Sequence, residues 1–361
     1  MNRTLALSAF LYLLCVSAAG AGAQAESAPA ACTSSQGLDF TCGMERPEDL
    51  ANIPGTRWLV ASGFSNGAGL KLVDTEARTM RLWYTGQSDQ LRQDRQAFGA
   101  CPSAPDAKSF NVQGISLRSR GGGRHTLYAT NHGGRESVEI FEIDARTGEP
   151  VLKWIGCVLL PQGIAANSVA TYSDGTLLVS VLTHPGKTIT DFVRGAVTGG
   201  VYECKPGKTV FQLIPGTELP GNNGLETSLD DKEFYVVAFG WHSVVVFSRA
   251  GARGPVRKAI APGFMPDNIH WDAGKLVLAG MQYDEPACGG TRKIIDGKAD
   301  DMRCHRGYVV AQLDPATMDF GVLAYSGPDP AFNGVSAAVL INEELWLASY
   351  QADRIASRRL P

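Results

Sequence analysis

The sequence predicts an all-β fold, a six-bladed β-propeller, and three observations carry that prediction. One unit, a strand, a Gly/Asn/Asp turn and a second strand, recurs six times along the 361 residues. Gly is abundant, at 41 residues, as a chain with many tight turns requires. No segment of helical length and period separates the strands, which argues against alternating βαβ units. A unit repeated over this length reads as a propeller or solenoid, and four-stranded blades around a channel are built from such pairs.

Taken in chain order, the first stretch is a processing signal. "MNRTLALSAFLYLLCVSAAGAGAQA" has Arg3, an apolar run from Leu5 to Val16, then small residues offering cleavage after Ala23 or Ala25. Residues 1–25 are therefore expected as a signal peptide, 26–43 as an N-terminal extension and 44–361 as one propeller domain. The run is too short for a stable membrane span, and no later segment approaches the ~20 apolar residues needed. Export to a periplasm or the medium is the expected fate.

The repeats start at Arg57, His125, Gly175, Lys232, Gly274 and Glu343, as in "RWLVASGFSNGAGLKLVD" and "KEFYVVAFGWHSVVVFSR". Within each, apolar residues alternate or run briefly, as in half-buried and core strands. A propeller must close its ring, and residues near Trp58 are the expected partner of the last blade. The net charge of −3 with no basic cluster indicates neither a nucleic acid nor an anionic membrane as partner.

Seven cysteines remain once Cys15 leaves with the signal, none in C-x-x-C spacing. Export permits disulfides. The spacing suggests Cys288 with Cys304 around the polar excursion "GGTRKIIDGKADDMR", Cys32 with Cys42, and Cys101 with Cys157. Cys204 is then odd and buried. Connectivity is not provable from sequence.

The chemistry needs more care. "GFSNG" (Gly63–Gly67) matches a G-x-S-x-G nucleophile elbow, and "HGG" from His132 resembles an oxyanion loop. The elbow needs a helix after it. Here "AGLKLVD" follows, which reads as a strand, so Ser65 belongs to a turn. No P-loop, HExxH or EF-hand loop is present, so any metal must be held by dispersed ligands.

Polar residues that open apolar segments are the better lead. They are Glu48-Asp49 in "RPEDLANIPG", Asn167 in "IAANSVATYSDG", Asn222-Asn223 in "LPGNNGLETSLD" and Asp267-Asn268 in "FMPDNIHWD". Each alone reads as turn chemistry. Together they recur at the inner start of successive blades, which a lone turn does not explain.

With "VQGISL", "LYATNHGGRESVEIFEID" and "ANSVA", these segments resemble the paraoxonase, gluconolactonase and regucalcin (senescence marker protein) superfamily. The resemblance runs from about Met44 to the C-terminus and implies a six-bladed calcium propeller. It implies a channel Ca²⁺ held by Glu48, Asn167, Asn223, Asp267 and Asn268. The donor chemistry agrees, since calcium takes six to eight oxygens from carboxylates, amides and water. Two carboxylates balance a dication, and nitrogen- or thiolate-seeking metals are poorly matched.

Two departures stand out. Paraoxonases carry a histidine where this chain has Gln113, the partner of the residue matching His132, and glutamine cannot take up a proton. Ser168 replaces an aspartate of a second, buried calcium site, whose other matches are Asp49 and the carbonyl of Ile115.

The resemblance implies a calcium-dependent hydrolase, a lactonase or esterase acting on a small-molecule lactone or ester. Asp267 is then the first candidate for general base, Glu48 the second and His132 the third, with Gln113 bonding substrate or water. His184, Trp241, His242, Phe332 and Asn333 are expected to wall the mouth. The rivals are a calcium propeller that binds a ligand without catalysis, and an isomerase or synthase on the same fold.

Overall fold

Strands such as "EFYVVA" (Glu233–Ala238) read as continuous apolar runs because both of their faces are covered. Phe234 and Val236 pack toward the preceding blade, whereas Tyr235 and Val237 pack toward the following one. That is the two-residue alternation of a strand inside a stack of sheets. The computed structural model describes residues 32–251 and 254–360, so the expected signal peptide lies outside the described residues.

Among the described residues the strands form six four-stranded antiparallel sheets and one two-stranded ribbon. Blade one is Leu50–Asn52, Trp58–Ala61, Lys71–Asp74 and Thr79–Leu82. The inner strands of the next five blades are Val112–Gly121, Val169–Thr171, Asn222–Thr227, Phe264–Asp272 and Val335–Ile341. These inner strands touch one another in cyclic order, and the sixth touches the first, so the ring is closed around an axis.

Each pair of consecutive blades encloses its own apolar core. Trp83, Phe110, Phe141 and Trp154 fill the first interface, and Trp346 with Leu50 and Leu59 fills the last. The ring closes through Asp39–Cys42, which pairs antiparallel with residues 354–357 of the final strand, Phe40 opposite Ala356. Two expectations are corrected here. The segment 26–43 is not wholly an extension, because it supplies the outer strand of blade six. Trp58 does not close the ring, because its strand is already paired on both edges within blade one.

Three disulfides are present: Cys32–Cys42, Cys101–Cys157 and Cys288–Cys304, and Cys204 is free and buried. The first braces the closing strand. The last pins an excursion between the second and third strands of blade five. No helix among the described residues is long and apolar enough to cross a membrane.

Candidate functional site

In four inner strands the ladder slips at the same level. The slips fall between Val112 and Ile115, Asn222 and Leu225, Pro266 and Ile269, and Val335 and Ala338. A bulge re-aims the side chains it contains. The residues inside the slips are Gln113-Gly114, Asn223-Gly224, Asp267-Asn268 and Ser336-Ala337. Glycine is needed at two of them: a Cβ on Gly114 would lie 2.6 Å from the Asn167 carbonyl, and one on Gly224 would lie 2.3 Å from that of Asp267. Only a missing side chain lets these strands approach so closely.

The bulges and the loops before blades one and three bring the predicted residues together. Glu48, Gln113, His132, Asn167, Asn223 and Asp267 line one cavity of about 600 Å³. Asn268 lies just beneath, its Nδ2 donating to Glu48 Oε1 at 3.0 Å and to the Glu48 carbonyl at 3.3 Å. Ser336, which sequence reading missed, donates its hydroxyl to the same carbonyl at 2.6 Å. Its only sequence signal was its place at the start of an apolar run in blade six.

Four oxygens of this cluster have no hydrogen-bond partner although they are buried: Glu48 Oε2, Asn167 Oδ1, Asn223 Oδ1 and Asn268 Oδ1. Buried polar atoms are ordinarily satisfied, so four orphans on one floor call for an explanation. Burial, and then the neighbouring Asp267 and Asp49 carboxylates, push the Glu48 carboxyl well above its ordinary range. Burial lifts Asp267 to about 7; the Asn223 amide opposes the rise and Asp49 adds to it. Crowded acids with unused oxygens are what a hard, oxygen-seeking cation relieves. The residues therefore fit a calcium ion, which Glu48, Asn167, Asn223, Asp267 and Asn268 could hold.

The second site, which Ser168 already weakens in the sequence, has its carboxylate oxygens engaged. Asp49 Oδ1 accepts from the Leu50 N–H at 2.8 Å and meets His270 Nε2 at 2.6 Å, and Oδ2 accepts from the Ile115 N–H at 2.8 Å. Ile115 thus meets Asp49 through its N–H. Burial alone would lower His270, but the Asp49 carboxylate beside it outweighs that and holds the imidazole above its ordinary value. Ser168 adds no carboxylate. His270 was missed in the sequence, although it stands two residues after Asn268, on the same face of the strand.

Gln113 Oε1 meets His132 Nε2 at 3.1 Å, and its amide eases the charge of the Glu48 carboxylate beside it. His132 Nδ1 in turn meets Glu136 Oε2 at 2.8 Å, and its ring lies edge-on to Phe64. Gln113 therefore acts as a strut between the acid and the histidine.

The mouth differs from expectation. His184 faces the Tyr202 hydroxyl at 3.2 Å, Trp241 is exposed under Lys258, and His242 packs on Tyr283. Phe332 is buried against Phe40 in the core between blades five and six, and Asn333 receives the Arg306 N–H. None of the five lines the cavity. The walls come instead from Leu182, Ile189, Phe192 and Phe239 on one side and from Arg292, Asp301, Met302 and Tyr350 on the other. Ile189 and Phe192 belong to a short helix, Ile189–Val193, started by a capping box between Thr188 and Asp191. The "TITD" pattern was the legible signal for it.

No protein-family profile matches the chain, and no curated protein does. Several solved structures are similar to the chain. One assigned as a gluconolactonase is 14% identical, with a TM-score of 0.49 over 90% of this chain and 93% of that one. A chain of a nidogen/laminin complex is 12% identical, with a TM-score of 0.48 over 84% and 89%. A luciferin-regenerating enzyme is 14% identical, with a TM-score of 0.45 over 88% and 92%. At this distance the likeness is one of fold, and it does not choose among their different roles.

Proposed function

We propose that this chain is a calcium-dependent hydrolase of lactones or related esters, exported to an oxidising compartment. The observation that carries the reading is the set of four orphaned oxygens beside two crowded carboxyls at the floor of an apolar-walled cavity. Glu48, Asn167, Asn223, Asp267 and Asn268 would hold the ion. Calcium, when bound, supplies a fixed positive charge that polarises a carbonyl oxygen and stabilises the negative charge developing on it.

The chain's own groups do the rest. Asp267 presents its carboxylate to the cavity, where it can take the proton of an attacking water. Asn223 bonds that carboxylate and orients it. Gln113 and His132 hold Glu48 in place. Phe192, Phe239 and Met302 exclude bulk water from the floor and seat an apolar acyl or ring portion. The three disulfides suit an oxidising compartment.

A ligand-binding role without catalysis has one observation in its favour: both ring nitrogens of His132 are already engaged, by Glu136 and by Gln113. That leaves Asp267 and Glu48 as the bases at the floor of the cavity. A panel of γ-lactones, δ-lactones and aryl esters, run after chelation and again with calcium restored, separates the two. Hydrolysis that disappears and returns supports the proposal. Hydrolysis indifferent to calcium removes the ion's role, and uniform inactivity with retained calcium binding favours the ligand-binding role.

A further inference from the structure

The excursion of blade five, closed by Cys288–Cys304, reaches across the mouth and docks on the short helix from blade three. The Ala299 N–H donates to Thr190 Oγ1 at 2.8 Å. On this excursion Arg292 is clamped along one edge. Its Nε and Nη2 donate to the Asp300 carbonyl at 2.9 and 2.7 Å. The Asp300 carboxylate is meanwhile spent on the N–H groups of Lys293 and Met302. Among the described residues Arg292 Nη1 has no partner, and the guanidinium has no carboxylate within ion-pair distance. The other acid on this wall, Asp301, is exposed and 2.5 Å from Arg303 Nε.

Arg292 is half-buried, and burial pushes it below its ordinary value; Tyr350, Asp300 and Asp301 oppose that shift and Arg306 adds to it. Arg306 is itself buried, its Nη1 on the Gln282 and Tyr283 carbonyls and its Nε unpartnered. An arginine stays charged under these conditions, so this wall presents a half-buried cation that no carboxylate pairs directly and whose Nη1 edge is open. Asp267, Tyr350 and Arg292 line the same cavity, so the guanidinium and the floor carboxylate face one space. The fork geometry of arginine matches a carboxylate or phosphate.

We infer that Arg292 is a specificity residue for an oxyanion carried by an otherwise apolar substrate, whose reacting carbonyl reaches the floor beside Asp267. This rests on the hydrolytic reading above and names its substrate class: lactones or esters bearing a carboxylate or a phosphate on the acyl part.

The test uses matched aryl esters of a medium-chain acid whose far end carries a free carboxylate, a phosphate monoester or a neutral methyl ester. The wild-type protein should favour at least one anionic ester over the neutral one by roughly tenfold or more in kcat/KM, through KM. Whichever anion is preferred identifies the oxyanion. Arg292→Met should abolish the preference while leaving the neutral ester within about twofold, and Arg292→Lys should restore part of it. No preference in the wild type overturns the inference, as does an equal loss for all three esters in Arg292→Met, which would mark a merely structural clamp. If no ester is hydrolysed, the hydrolytic reading fails separately, and calorimetry with pimelate and with hexyl phosphate decides on Arg292. Binding lost in Arg292→Met supports the anion site, and binding absent or unchanged overturns it.

Discussion

Glu48 faces a layer of amide oxygens with one of its own oxygens unpartnered, whereas Asp49, next in the chain, has both oxygens engaged. Both acids are buried. What separates them is which blade each one meets. Glu48 looks onto the floor of the cavity among Asn167, Asn223 and Asn268. Asp49 looks one layer deeper, where His270 from blade five supplies a counter-charge. A buried carboxylate is tolerated when it is paired, and an unpaired one marks a place where a cation belongs. The two layers thus differ in what meets the acid: Glu48 Oε2 has no partner, whereas Asp49 has His270 and two backbone N–H groups.

The comparison can be broken most severely at the lower layer. His270→Ala leaves Asp49 buried and uncompensated, and should cost about 3–5 kcal/mol of stability. Chemical denaturation with calcium present measures this, and a loss below about 1 kcal/mol would show that the pair is not structural. Replacing floor acids acts on the ion instead. Glu48→Gln and Asp267→Asn should each weaken calcium binding by roughly a hundredfold, as read by calorimetry, while the metal-to-protein ratio of the wild type is one. A ratio of two would mean that the lower layer takes an ion after all.

The close approach of the inner strands gives a smaller effect. Gly224→Ala pushes a methyl group against the Asp267 carbonyl and should destabilise the protein by about 1–3 kcal/mol, with calcium affinity falling as the bulge shifts. Unchanged stability and affinity would show that the strand can give way without disturbing the floor.

The dependence on pH sharpens the contrast further. Asp267 is raised from the ordinary 3.8 to about 7, and Glu48 is raised as well. Groups raised on folding contribute stability that is fully present below their unfolded values and is lost as pH rises through the folded ones. For Asp267 that window runs from the ordinary 3.8 to about 7. His270 has the same sign, with its loss beginning above the ordinary 6.5. The metal-free protein should therefore melt a few degrees lower at pH 8 than at pH 5. Calcium, which needs deprotonated ligands, should raise the melting temperature more at pH 8. A metal-free protein whose melting point is flat over this range would remove the charge argument for the floor.

The sequence by itself determined the six-fold repeat, because a strand and its turn are written in adjacent residues. Runs such as Glu233–Ala238 showed strands covered on both faces, and the pair Asn222-Asn223 showed where an inner strand begins, whereas Asp267-Asn268 lies inside its strand. The spacing of the cysteines around 289–303 suggested the Cys288–Cys304 staple that the structure contains. Tertiary structure alone decided the rest. The slips at Gln113, Asn223, Asp267 and Ser336 exist only between paired strands. Asp49 and His270 are 221 positions apart, and Arg292 gains its meaning from a helix in another blade. Local patterns report what neighbouring residues can do, but contacts across the ring depend on how six blades close, and no short stretch of chain carries that.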